Sequence, residues 1–126
     1  MKQYKSQAEF VAEIKDNVFK SEESIDIPFH LDIGAKIEVN GDITAWNITA
    51  GNINAGGDIN AWNITARDIN AWNITARNII AKNITAWNIS YYAVAFAYGN
   101  IKCKKIEGRR ENSKHFVLDG KIEIIK

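Results

Sequence analysis

Cys103, His30 and His115 are the side chains best suited to nucleophilic or metal chemistry, and their spacing supports neither. One cysteine and two distant histidines, with no CxxC or HxxxH spacing, do not make a zinc site. A Cys103–His115 pair would need a third group to orient the base, and none is evident. The chain has no GxGxxG or Walker loop, and Gly56-Gly57-Asp58 reads as a local bulge rather than a phosphate cradle. The expectation is a protein without catalytic residues, metal or cofactor.

The polar chemistry lies elsewhere. Lys102, Lys104, Lys105, Arg109, Arg110 and Lys114 fall close together near Tyr91, Tyr92, Phe96 and Tyr98. Cations among aromatics suit phosphates and bases, although the same lysines also fit the solvent side of a strand. The charge is polarised along the chain. Residues 1–41 carry five Lys against eight Asp/Glu (−3), residues 42–98 three against three, and residues 99–126 eight Lys/Arg against four Asp/Glu (+4). An acidic head, a neutral shaft and a basic tail result.

What must position these groups is the shaft. From Asp42 to Tyr92, ten five-residue units of the form [Asn/Asp]-Ile-[Thr/Asn]-Ala-X follow one another with one insertion, Gly57. Ile-x-Ala sends two side chains to one face of a short strand and the residue between them to the other. The X and Asn/Asp positions then turn a corner, where Asn and Asp are favoured for tolerating left-handed backbone. Stacked coils of such strands make an all-β chain, a β-solenoid or parallel β-helix with an Ile/Ala core. The X position holds Trp46, Gly51, Gly56, Trp62, Arg67, Trp72, Arg77, Lys82, Trp87 and Tyr92. No buried slot packs Trp, Gly and Arg interchangeably, so X points outward. Trp46, Trp62, Arg67, Trp72, Arg77, Lys82 and Trp87 become a candidate binding surface. A triangular coil of fifteen residues would stack Trp72 on Trp87 and Trp46 on Trp62; a square coil of twenty matches known pentapeptide folds and is the expectation adopted.

The flanks read as caps. Phe10, Val11, Ile14, Val18 and Phe19 form one apolar stripe of a helix over residues 6–20, with a Ser6…Glu9 capping box. Residues 1–24 are assigned as a helical cap covering the solenoid end. Residues 25–108 form the solenoid, opening on the alternating Ile25, Ile27, Phe29, Leu31 and Ile33, where Pro28 suggests an edge strand. Residues 109–126 are a loop and a C-terminal hairpin turning at Asp119-Gly120. Cys103 and Gly108 occupy Ala-like inward slots.

With 46% hydrophobic and 25% charged residues in 126, the chain is one globular domain. No apolar run is long enough to span a membrane. A single cysteine and no leader-like start point to a cytoplasmic location, in a bacterial host cell. Five Asn-Ile-Thr/Ser triplets, at Asn47, Asn63, Asn73, Asn83 and Asn88, follow from the repeat and are not read as glycosylation sites.

Asn47-Ile48-Thr49 and its siblings resemble the central positions of the pentapeptide-repeat family over about fifty residues. That family places a small inward residue two before the central apolar one, where this chain has Trp, Arg, Lys or Gly. The repeat and the tail YYAVAFAYGNIKCKKIEGRRENSKHFVLDG also resemble small phage and mobile-element proteins of Gram-positive bacteria. The resemblance implies a cytoplasmic, phage-associated role. Together with the small size and the lack of catalytic chemistry, it leads to the expectation of a non-enzymatic, phage-encoded inhibitor of a bacterial nuclease or defence complex, anti-CRISPR-like and acting by steric block. The alternatives are a self-assembling scaffold, or a pentapeptide-type topoisomerase-binding protein. The partners expected are a host protein or nucleoprotein complex, nucleic acid at the basic tail, or a second copy as homodimer, with no membrane.

Overall fold

The computed structural model describes residues 2–125. The chain winds into a stack of parallel strands along one axis, about six turns in all. An incomplete first turn holds β1 (Lys2–Gln3), α1 (Gln7–Val11) and β2 (Val18–Ser21). Coil 1 is β3 (Ile25–Asp32) and β4 (Lys36–Val39); coil 2 is β5 (Ile43–Thr49) and β6 (Asn52–Ala55). Coil 3 is β7 (Ile59–Asn60), β8 (Asn63–Thr65) and β9 (Asp68–Asn70). Coil 4 is β10 (Asn73–Ala81) and β11 (Asn83–Thr85), and coil 5 is β12 (Asn88–Ala97) and β13 (Ile101–Cys103). Coil 6 is β14 (Lys105–Gly108), β15 (Lys114–Val117) and β16 (Ile122–Ile124).

Each coil has three sides. Ile43, Ile59, Ile74, Ile89 and Ile106 stack on face 1, Ile48, Ile64 and Ile79 on face 2, and Ile53, Ile69, Ile84 and Ile101 on face 3. The repeat distance is fifteen residues across the regular coils and sixteen where Gly57 is inserted. The square coil is therefore corrected to a triangular one. Three Ile columns meet on the axis, and each repeat Ile is fully buried, contributing about 1.5–3 kcal/mol apiece.

The Asn/Asp position has a different role from the one expected. No residue of the repeat has positive φ; among the described residues only Asp16 and Asn17 do. Instead the side chains form ladders along the axis. Asn63 Nδ2 donates to Asn47 Oδ1 and Asn78 Nδ2 to Asn63 Oδ1, both at 2.8 Å, on face 2. Asn88 Nδ2 donates to Asn73 Oδ1 (2.8 Å) and Asn73 Nδ2 to Asp58 Oδ1 (2.9 Å) on face 1. Asn83 Nδ2 donates to Asp68 Oδ1 (2.9 Å) on face 3. Stacked identical amides satisfy one another's donors and acceptors at the strand spacing, as in cross-β assemblies. The amide nitrogens of four of the five sequon asparagines are thereby engaged, so those triplets are structural.

The N-terminal cap is shorter than the stripe suggested. α1 ends at Val11, and Asp16 (φ 53°) and Asn17 (φ 63°) turn the chain between Lys15 and Val18, whose backbones exchange two 2.9 Å hydrogen bonds. That is type I′ geometry, which Asp and Asn favour. The turn frees residues 18–21 to pair with β4, setting Phe19 over Ile37. The capping half of the prediction stands: Ser6 Oγ accepts from the Glu9 amide at 3.3 Å. Tyr4, Phe10 and Phe19 close the core, all at most 1% exposed, with Phe10 and Phe19 stacked at 3.9 Å.

Burial first, and then the Glu13 carboxylate, push the Tyr4 phenol up to about 12. A raised native pKa means that the folded state keeps the proton. The cap's contribution is thus full below pH 10 and is lost as pH rises toward 12. Thermal melts across this window should show an alkaline loss of stability that is absent in Tyr4→Phe; equal losses in both proteins would refute the assignment.

Pro28 has the edge position expected of it: β1 pairs with β3 only at Ile25 and Asp26, so among the described residues no strand precedes β3 at Pro28. It lies where the β3–β5 register shifts, at the corner between faces 1 and 2, where no ladder bond is demanded of it. The expected C-terminal hairpin is absent. β15 pairs in parallel with β12 and β16 in parallel with β13, so residues 109–125 continue the solenoid. Asp119-Gly120 turns a corner of coil 6, and neither residue has positive φ. Parallel pairing wins because it satisfies the open edges of β12 and β13 and buries Ile101 under Ile122.

Candidate binding surface

Three corners carry the X residues, and each corner is a column held by backbone hydrogen bonds between coils. At the corner after face 1, the Trp62 amide donates to the Trp46 carbonyl and the Arg77 amide to the Trp62 carbonyl, both at 2.7 Å. Tyr92 and Arg110 continue that column, with the Arg110 amide donating to the Tyr92 carbonyl at 3.2 Å. At the corner after face 2 the Arg67 amide donates to the Gly51 carbonyl (2.7 Å) and the Lys82 amide to the Arg67 carbonyl (2.6 Å). At the corner after face 3, Gly57, Trp72, Trp87 and Lys104 are linked in order at 2.9, 2.7 and 2.7 Å.

All four tryptophans face outward, from 40% exposed (Trp87) to 53% (Trp72). They form two pairs, Trp46–Trp62 and Trp72–Trp87, each with ring centroids 5.6 Å apart and planes within 10° of parallel. A cation closes each pair: the Arg77 guanidinium lies 4.8 Å from the Trp62 ring and the Lys104 ammonium 5.9 Å from the Trp87 ring. Arg110 sits likewise over Tyr92 at 5.9 Å. Aromatic stacking and cation–π contact fix these rings in place, so the surface is preorganised.

The two pairs stand on opposite rims of face 1. Trp46 and Trp62 follow its strands in coils 2 and 3; Trp72 and Trp87 precede its strands in coils 4 and 5. Between the rims runs an outward row of small polar side chains, Thr44, Asn60, Thr75 and Ser90, ending at Glu107. Two shallow depressions follow this row. One of about 300 Å³ is lined by Thr44, Asn60, Trp62, Thr75, Arg77 and Arg109. The other, about 520 Å³, is lined by Asp58, Asn73, Thr75, Asn88, Ser90 and Lys105. The polar floor and the rim-to-rim arrangement were not read from the sequence. The five-residue period did contain them, once the coil was known to close after three units.

The basic tail is not one patch. Lys102 projects from face 3, Lys104 from the next corner, Lys105 from face 1, Arg109 and Arg110 from the following corner, and Lys114 from face 2. Together they make a collar around the C-terminal end. Arg109 is anchored by donating to the Ala76 carbonyl at 2.9 Å, and Lys105 pairs with Glu107 at 3.4 Å. Lys102 lies 4.0 Å from Glu123.

No catalytic geometry forms from the remaining candidates. Cys103 is fully buried on face 3, and burial pushes its thiol up. His115 Nδ1 instead meets the Tyr91 hydroxyl at 2.5 Å, on face 2 of coil 6, while His30 lies in coil 1 beside Asn47. Tyr91 fills an Ala slot because Gly108, its register partner, has no side chain; a Cβ there would come within 2.9 Å of the Tyr91 ring. Among the described residues no group of three His, Cys, Asp or Glu is placed to hold a metal. No helix among the described residues is long and apolar enough to cross a membrane.

No protein-family model, curated protein or solved structure matches this chain.

Proposed function

We propose that the chain is a non-enzymatic binding protein, a rigid rod that docks on a protein or nucleoprotein partner through face 1 and its tryptophan rims. One observation carries this reading: four half-exposed tryptophans are held in two cation-capped stacks on opposite rims of face 1. Tryptophan and arginine held rigidly at a surface are the residues that dominate binding hot spots. The specific form proposed is an inhibitor of a bacterial nuclease complex that blocks a functional surface sterically.

The test is direct. Purified protein mixed with an RNA-guided bacterial nuclease should form a stable complex and lower cleavage. Replacing Trp62 or Trp72 with Ala should weaken the complex by about 2 kcal/mol or more, roughly thirtyfold. The same changes should cost only about 0.5–1.5 kcal/mol of fold stability. Complex formation unchanged when all four tryptophans are replaced would remove face 1 from the proposal. Binding that collapses with added salt, and survives loss of the tryptophans, would shift it to the basic collar and a phosphate backbone.

A further inference from the structure

We propose that coil 6 is a self-association surface, which pairs with the same coil of a second copy about a two-fold axis. The two ends of the solenoid are not equivalent. At the N-terminal end Tyr4, Phe10 and Phe19 seal the core. At the C-terminal end the core is open. Ile89, Ala97, Ile101 and Cys103 in coil 5 are at most 1% exposed, whereas their register partners in coil 6 are Ile106, Val117 and Ile122, half-buried, and Ile124, 49% exposed. Phe116 (46%) and Leu118 (64%) add to the same apolar end. Each of β14, β15 and β16 has a paired neighbour on one side only. An end that exposes core side chains and strand edges together is a template for further pairing.

The charges at this end say which partner fits. β14 reads Lys105-Ile106-Glu107, and the residues at β16 read Lys121-Ile122-Glu123. A cation, an apolar residue and an anion in alternation are self-complementary when the strand meets its own copy antiparallel. A two-fold axis through the middle of face 1 sets Ile106 on Ile106 of the second copy and each Lys105 opposite Glu107 of the other chain. The same axis brings β15 of each copy onto β16 of the other, so Phe116 and Val117 approach Ile122 and Ile124. Isologous contact of this kind closes after two copies.

Head-to-tail stacking does not fit. The N-terminal end presents Lys2 at the register of the face 1 Ile column, so continued parallel stacking would set Ile106 on a lysine. There, too, α1 occupies the place of a face 2 strand. The acidic head and basic tail of the sequence therefore do not make a filament.

Sedimentation velocity over roughly 10–100 μM tests this. The expected result is a dimer whose mass stops at two chains. Lys105→Glu and Glu107→Lys each place like charges opposite one another and should raise the dimer dissociation constant by about tenfold or more. The double reversal Lys105→Glu/Glu107→Lys restores opposite charges and should return it to within about threefold. Circular dichroism establishes that all three variants fold, these positions being exposed. A monomer throughout the range, growth beyond two chains, single reversals that dimerise like the parent, or a double reversal that fails to recover would each overturn the proposal. Replacing the four tryptophans should leave the dimer intact, so this surface stands or falls separately from the tryptophan rims.

Discussion

Ile79→Ala is expected to destabilise the protein by about 2–5 kcal/mol, while Ile80→Ala, one residue on, should cost less than about 1 kcal/mol. The two side chains are chemically identical and adjacent. Ile79 is wholly buried in the face 2 column between Ile64 and Ala95, and Ile80 is 40% exposed. Truncating Ile79 leaves a cavity that neighbouring coils cannot close, because each is tied to the next by its ladder bonds. Truncating Ile80 removes a methyl-rich side chain from a position that elsewhere holds Thr or Asn. Chemical denaturation midpoints for the two variants give the comparison. Equal losses would mean that the inward register is wrong by one residue, which would turn every repeat side chain to the other face.

The second large effect concerns the amide ladders and their direction. Asn63 and Asn73, inside the ladders, each donate through Nδ2 to the coil before and accept through Oδ1 from the coil after. An Asp can accept but not donate. Asp58 and Asp68 occur where no side-chain donation is required of them: their backbone amides donate instead, to Asp42 Oδ1 (2.7 Å) and Asn52 Oδ1 (3.2 Å). Asp68→Asn should therefore shift stability by no more than about 0.5 kcal/mol. Asn63→Asp should cost about 1–3 kcal/mol at neutral pH, because a carboxylate replaces the donor to Asn47 Oδ1 in a half-buried column. The new carboxylate would have its pKa raised in the folded state. Its cost should shrink as pH falls through that raised value toward the usual carboxylate range, where the folded state takes up a donor proton before the unfolded chain does. Denaturation of both variants at neutral and acid pH is the measurement; an Asn63→Asp variant as stable as the parent at neutral pH would contradict the directed ladder.

Much of the site could be read from single residues. That Trp46, Trp62, Trp72 and Trp87 lie outside followed from their sharing a position with Gly51 and Arg67, and that Cys103 lies inside followed from its place in the Ile-x-Ala spacing. The rims of face 1 could not be read, because whether Trp46 meets Trp62 depends on how many units close a coil. The basic tail misled for the same reason. Lys102, Lys104, Lys105, Arg109, Arg110 and Lys114 are close in sequence, but a coil carries close residues around all three faces.

By itself the sequence determined what is local. Alternation along a strand decides which side chains face in, so the ten inward Ile, the outward X residues and the β-solenoid were legible from a five-residue period. Only the tertiary structure decided what depends on closure. Closure after three units rather than four shows only in the pairing, where strand edges and Asn side chains bond to residues fifteen positions before them. The apolar stripe of residues 10–19 reads as one helix until β4 offers Phe19 a partner strand. Asp119-Gly120 reads as a hairpin turn until β12 and β13 offer parallel edges. In each case a nonlocal row of hydrogen bonds outweighed a valid local preference, because an unpaired buried edge costs more than a turn or a helical turn gains.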